Sequence, residues 1–188
     1  MIVGSNWSGA VHDHYRRVWG VDGEVCSLPE GPTHELPNGF EVRKFSPTAD
    51  QDLWTYATCG MGSPGEDGTP LELHLHCRVD SDRPVMLLTV VAHFHRTGAR
   101  LGLGHTVNFG EPWLPGSACD RGLICLPYLY GPKLEDVSAD GVSGKCLWLI
   151  PVTTAEVEFK NANGLDALED RLESDGFDYS DPLRQSVA

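Results

Sequence analysis

The chain has 188 residues, enough for one sizeable domain with a hydrophobic core, and its 40% hydrophobic and 22% charged residues exclude a disordered protein. Its 27 Asp and Glu outnumber its 14 Lys and Arg, which gives a net charge of −13. A surface of that sign repels nucleic acid and anionic membranes and attracts a basic partner, although the same charge also simply keeps a protein dispersed.

No apolar run approaches the roughly 18 residues of a membrane span, and the first residues lack the basic region and apolar core of a signal peptide. We therefore expect a cytoplasmic protein that forms a single domain over residues 1–188. Its six cysteines form no Cys-x-x-Cys pair and most lie in apolar runs, which indicates buried free thiols.

The first part of the chain predicts a helix followed by strands. Ser5 or Asn6 can cap a helix that runs to about Trp19, where Gly20 ends it. Strands are then expected at Phe40–Phe45, Leu53–Cys59 and Leu71–Val79, with a short one at Glu24–Ser27.

The strand Leu71–Val79 has the clearest alternation, because apolar residues occupy every second position and Glu72, His74, His76 and Arg78 the others. This pattern predicts one face in the core and one in water. His74 and His76 could bind a metal ion with Glu72 or a distant histidine as a third ligand. A solvated face explains both histidines, and Arg78 beside them would repel a cation, so we assign no metal or other cofactor.

The second part predicts a helix from Ser81 or Asp82 to Gly98, and its expected buried stripe consists of Met86, Leu87, Val90, Val91 and Phe94. Two apolar strands should follow, separated by a charged loop, at Leu123–Tyr130 and Lys145–Val152. The second of these is typical of a central strand covered on both faces.

A capping box at Thr153–Glu156 begins the next helix, and Leu165–Glu173 forms the last one. Residues 175–188 are expected to form a tail on the surface, anchored by Phe177, Tyr179 and Leu183. This order of elements predicts an α/β (α+β) protein with a mixed, mainly antiparallel sheet and helices packed on its faces.

The stretch from Gly102 to Pro115 is predicted to be a long shaped loop, because it contains three glycines and two prolines. Such a loop would offer polar groups and one large apolar side chain to a ligand, from His105, Asn108, Glu111 and Trp113. The alternative is that Trp113 plugs the edge of the core and His105 caps a backbone carbonyl.

Several stretches follow one another in a recognisable order and spacing: Trp54–Met61, Leu71–Val79, the Pro84 helix leading into Gly104–Phe109, Leu147–Glu156 and Asn163–Leu168. Over roughly Trp54 to Leu172 this succession resembles the Suppressor of fused domain family, and the tail Asp181–Val187 is also similar. The resemblance implies a non-enzymatic α/β binding domain. In animals the family sequesters zinc-finger transcription factors, and bacterial stand-alone members are thought to be immunity proteins that neutralise toxins. The chain shows no match to the second, C-terminal region of the animal proteins.

The resemblance and the charge of −13 together favour an immunity protein that binds and neutralises a basic, nuclease-type toxin. In this interpretation Trp113 is the apolar anchor, surrounded by His105, Asn108, Glu111 and Asp120, and no residue is catalytic. Two alternatives stay open. One is a hydrolytic or metal-assisted enzyme that uses His105 with Glu111 or Asp120, and the other is a scaffold or regulatory binding protein.

Overall fold

The computed structural model of the protein describes residues 6–28, 33–62 and 68–188. Within these ranges the chain forms eight strands of one sheet and five α-helices. The strands are β1 (Gly23–Val25), β2 (Glu41–Phe45), β3 (Trp54–Cys59), β4 (Leu71–Cys77), β5 (Thr106–Asn108), β6 (Cys119–Cys125), β7 (Asp136–Ala139) and β8 (Val142–Thr153). The helices are α1 (Trp7–Trp19), α2 (Arg83–Thr97), α3 (Pro132–Glu135), α4 (Thr154–Asn163) and α5 (Leu165–Ser174).

The sheet is mixed and mainly antiparallel, which confirms the predicted α/β (α+β) class. Its strands lie in the order β1-β2-β3-β4-β8-β6-β5, and β7 pairs with the start of β8. Among the described strands the one parallel pair is β4 with β8, from Leu71 opposite Lys145 to His74 opposite Trp148. The other pairs are antiparallel.

Helices cover both faces of this sheet. On one face α2 packs against the middle strands, and the core there includes Leu73, Leu88 and Leu149. On the other face α1 covers the β2–β3 side around Ala57, and α5 covers the β6–β8 side through Leu168. As predicted, β8 is a central strand, and its residues from Cys146 to Thr153 are all buried.

Local sequence signals set the ends of α1 and α4. Asn6 caps α1 by accepting a hydrogen bond from the Gly9 N–H at 3.1 Å, and Gly20 ends the helix with a φ of 71°. The other predicted cap, Ser5, lies outside the described residues. The capping box of Thr153 and Glu156 is formed as predicted.

The buried side of α2 differs from the predicted stripe. Leu87 and Val91 are buried as expected, but Val90 and Phe94 are exposed. The stripe is centred on Leu88, which is fully buried because the helix lies directly over the sheet at this position. Periodicity alone cannot distinguish these two rotations when both sides of a helix carry apolar residues.

The predicted loops contain more regular structure than the sequence indicated. β5 lies inside the stretch Gly102–Pro115, and α3 and β7 lie inside the segment predicted as a charged loop. β6 spans Cys119–Cys125 and not the predicted Leu123–Tyr130, since Pro127 cannot donate a hydrogen bond to a strand ladder. All six cysteines are free of disulfides, and all but Cys26 are buried.

Every residue of β4 is buried, which corrects the predicted water-facing side of this strand. β4 lies between β3 and β8, so helices and loops cover both of its faces. His74 and His76 pack against each other and against Trp148, at ring-centroid distances of 5.3–6.2 Å. Burial lowers the pKa of His76 to about 3 and that of His74 well below its ordinary value, so both rings are neutral near pH 7.

Glu72, on the same face of β4, holds α1 to the end of β3. Its carboxylate accepts hydrogen bonds from the Trp7 indole N–H at 2.8 Å and the Thr58 hydroxyl at 2.7 Å. It also accepts from three consecutive backbone N–H groups, those of Gly60, Met61 and Gly62, at 3.0–3.2 Å. Burial raises the pKa of Glu72 to about 7, against the effect of these donors.

The C-terminal tail is attached by a buried ion pair. The Arg184 guanidinium contacts both carboxylate oxygens of Glu156, at 2.6 and 2.8 Å, and donates to the Pro151 carbonyl at 3.0 Å. Phe177 and Tyr179 pack against the sheet as expected. The expectation for Leu183 is wrong, because this side chain is 62% exposed while its neighbour Arg184 is buried.

Candidate functional site

The candidate site is the edge of the sheet at β5 together with the loop that follows it. Among the described strands, β5 is the last in the sheet order and pairs only with β6. The His105 carbonyl and the Phe109 N–H, on either side of the strand, bond to β6 at 2.9 and 3.0 Å. In an antiparallel pair, the N–H and C=O groups of every second residue point toward the neighbouring strand. Those of Thr106 and Asn108 therefore point away from β6, toward the open edge of the sheet.

Gly122 of β6 allows the strand pair to pack closely. A Cβ atom at this position would lie 2.7 Å from the Phe109 ring and 2.7 Å from Leu149. Phe109 therefore lies over β6 where only glycine leaves space, which fixes the end of β5 against the core.

Arg83, at the first turn of α2, shapes the loop after β5. Its guanidinium forms an ion pair with Glu111 at 2.6 Å and donates to the carbonyls of Pro112 and Trp113 at 2.9 and 3.1 Å. Glu111 itself is exposed. The helix thus positions three successive loop residues from a single side chain.

Arg121 of β6 joins two of the predicted site residues. Its Nη1 donates to Asn108 Oδ1 at 2.7 Å and to Asp120 Oδ2 at 2.9 Å. Asp120 also accepts from the hydroxyl of Thr154, at the start of α4, at 3.1 Å. The structure therefore brings Asn108 and Asp120 into one polar cluster at the outer edge of the sheet.

Trp113 does not lie on this surface. Its side chain is 1% exposed and belongs to the core beneath α2, which corrects the expectation that the ring is available as an apolar anchor. The burial has a local cause. The main-chain N–H of Trp113 donates to the Cys119 carbonyl at 2.9 Å, and Arg83 donates to the main-chain carbonyl of Trp113. The tryptophan anchors the loop to the core.

His105 is exposed and directly precedes β5. The carboxylates proposed to orient it in the enzyme alternative are bound elsewhere, Glu111 by Arg83 and Asp120 by Arg121 and Thr154. A general base needs an orienting partner within hydrogen-bond distance, and these contacts do not provide one. Within the described residues no group of three or more His, Cys, Asp and Glu side chains could hold a metal ion.

Sequence reasoning missed Arg83 and Arg121, which organise the site. Their charge could have drawn attention to them, since they are two of only 14 basic residues in an acidic chain. Their partners could not be identified from spacing, because Arg83 lies 28 positions from Glu111.

Among the described residues no helix has both the length and the hydrophobicity of a membrane span.

Comparisons with known proteins agree on one family. The profile of the family described as Suppressor of fused protein (SUFU) matches residues 37–185. The crystal structure of a SUFU homologue from Neisseria gonorrhoeae FA 1090 is similar with a TM-score of 0.83 and 28% identity, over 97% of each chain. No curated protein sequence gives a significant match.

Two more distant structures share the fold. The Sufu–Fu complex matches with a TM-score of 0.70 and 14% identity, over 98% of this chain and 93% of that one. Drosophila Suppressor of Fused matches with a TM-score of 0.69 and 14% identity, over 98% of this chain but 52% of its own length. The family match spans most of the chain and the structural similarity nearly all of it, and the chain therefore belongs to the Suppressor of fused family.

Proposed function

We propose that this protein is a binding protein without catalytic activity, and specifically an immunity protein that neutralises a basic, nuclease-type toxin. The observation that carries the proposal is the net charge of −13 on a Suppressor of fused domain. Opposite charge speeds the association of an inhibitor with a basic enzyme, and an acidic inhibitor does not itself compete for nucleic acid.

Two findings on relatives support a protein partner. A Suppressor of fused protein has been solved in complex with Fu, so the fold of that protein supports a protein–protein interface. The Neisseria gonorrhoeae homologue is bacterial, which is consistent with the immunity interpretation.

The surface that we propose for the partner is the β5 edge with His105, Asn108, Glu111 and Asp120. The outward main-chain groups of β5 can pair with a strand of another protein, and the polar side chains around them can supply specificity. Trp113 contributes indirectly, because it holds the loop in place from the core.

The first experiment is affinity capture of the tagged protein from its source lysate in moderate salt, followed by elution in high salt. A captured basic protein is then expressed in a heterologous host with and without this chain. We expect growth arrest by the captured protein and its relief by the chain. A partner that does not impair growth, or arrest that the chain fails to relieve, refutes the immunity function.

The surface is tested with Thr106→Pro, which removes an outward N–H but no bond to β6. We expect partner affinity to fall about three- to tenfold, the equivalent of one main-chain hydrogen bond. The control is Val25→Pro in the opposite edge strand, β1, which should bind normally. Equal losses in both variants, or none in Thr106→Pro, would assign the interface to another surface.

A further inference from the structure

A groove of about 570 Å³ lies between α5 and the sheet. Its base consists of apolar side chains from β6 and β8 that are themselves buried, including Leu123, Trp148 and Ile150. Phe177 and Tyr179 of the tail close one end, and Tyr179 packs edge-on against Trp148 with their ring centroids 4.8 Å apart.

One wall of the groove is acidic. Asp166, Glu169, Asp170 and Glu173 of α5 line it, and their spacing places all four carboxylates along one side of the helix. None of them forms an ion pair with another described residue. The basic residue of the helix, Arg171, faces away, because its guanidinium stacks on Phe159 at 3.9 Å and bonds to the Val187 carbonyl.

The segment that forms α5 and the start of the tail is rich in acidic residues. Residues 165–181 contain seven of the 27 acidic residues and one of the 14 basic residues. Burial raises the pKa of Glu169, and the nearby carboxylates Asp166 and Asp170 raise it further against a hydrogen bond from Tyr128. A cation placed in the groove would relieve this repulsion between carboxylates.

The rest of the rim of the groove is apolar and open to solvent. Tyr128 is 56% exposed and Leu129 is 45% exposed, and both line the groove. Exposed large apolar side chains around a groove are typical of an interaction surface. The groove therefore combines an exposed apolar rim with one wall of carboxylates.

We propose that this groove binds a basic segment of a partner protein, with an apolar side chain against Tyr128 and Leu129 and lysine or arginine side chains against the carboxylates of α5. Charge complementarity selects this occupant, since the lining contains four acidic residues and no basic one. The proposal rests on the proposed function only in naming a basic protein as the partner. Its test uses a defined peptide and does not require the partner to be a toxin.

The probe is a fluorescent peptide that alternates lysine with leucine and phenylalanine, and its binding to the full chain is followed by anisotropy. Two control peptides carry glutamate in place of lysine, or serine in place of the apolar residues. We expect only the basic, apolar peptide to bind, with an affinity that falls steeply as salt is added.

The groove is altered by Glu169→Gln with Asp170→Asn, and the control variant is Glu24→Gln with Asp140→Asn, which changes charge equally at exposed sites elsewhere. The rim is altered by Leu129→Ser, with Val25→Ser as the control at a similarly exposed position. We expect each groove variant to weaken peptide binding at least tenfold and each control less than twofold. Circular dichroism must show all four variants folded.

Equal losses in the groove and control variants would overturn the proposal, because the peptide would then respond only to the overall charge. Unchanged binding in both groove variants would also overturn it. So would sedimentation data in which the wild type self-associates through the groove and the peptide does not compete. If the groove variants lose the peptide but still relieve growth arrest, the groove assignment stands and the partner's toxic activity is blocked through another surface.

Discussion

The ion pair between Arg184 and Glu156 gives the sharpest prediction for stability. Glu156 is completely buried and accepts two short hydrogen bonds from Arg184. Substitution Arg184→Ala removes the cation and leaves a buried carboxylate at the start of α4. Breaking a buried pair in this way costs about 3–5 kcal/mol of unfolding free energy, because the remaining charge is uncompensated. For a chain of this size the midpoint of thermal unfolding should fall by roughly 6–20 °C.

The pH dependence supplies a second readout for the same variant. Burial alone would raise the pKa of Glu156, but Arg184 and backbone N–H groups lower it below its ordinary value. In the wild type this pair therefore stabilises the fold above the unfolded pKa of the carboxyl group, and the contribution is lost as pH falls. In Arg184→Ala the buried carboxyl has a raised pKa, so the sign reverses and stability is lost as pH rises.

The assay is urea unfolding followed by circular dichroism, at pH 5 and pH 8. The control is the double variant Arg184→Met with Glu156→Gln, which keeps a capping acceptor and removes both charges. We expect it to recover most of the lost free energy. A loss below about 1 kcal/mol in Arg184→Ala, or the same loss at both pH values, would refute the reasoning that a buried charge is left without compensation.

Three further changes test the interior. Glu72→Gln places an amide NH₂ group against N–H and O–H groups that donate to the carboxylate in the wild type. The unfolding free energy measured in urea should therefore fall by about 2–4 kcal/mol. An unchanged unfolding midpoint would mean that the buried carboxyl is already protonated. His76 has a pKa of about 3 in the fold against about 6.5 unfolded, so between pH 6.5 and pH 5 the unfolding free energy of the wild type should fall by about 1.6 kcal/mol more than that of His76→Leu. If the unfolding free energies of the two proteins changed with pH in parallel, this prediction would be contradicted. Gly122→Ala forces a methyl group against Phe109 and should cost about 1–3 kcal/mol in thermal unfolding, and full stability would show that the β5 end is free to adjust.

The elements that the sequence predicted well have local causes. The ends of α1 depend on Asn6 and Gly20, and the start of α4 depends on the capping box of Thr153 and Glu156, all within a few residues of the helix ends. β8 was predicted as central because its apolar run is nearly continuous. In each case the signal lies in residues that are close together in the sequence.

The predictions were wrong where contacts between distant parts of the chain determine burial or strand formation. β4 alternates like a half-exposed strand, and only the packing of both sheet faces shows that His74 and His76 are buried. β5 has three residues in a stretch rich in glycine and proline, so its strand depends on pairing with β6. Trp113 is buried beneath α2, which lies far from it in the chain, so its neighbours in sequence left both the core and the surface open.

The parallel pairing of β4 with β8 also has a consequence for synthesis on the ribosome. β4 ends at Cys77, but the strand that lies between it and β6 is not complete until Thr153 has been made. Any sheet that forms in the nascent chain before that point is limited to two separate portions, β1–β4 and β5–β6, each with an edge that β8 later covers. Those two edges are transiently available to other chains. Closure of the sheet is a late event, and slowed translation after residue 125 would prolong this exposed state.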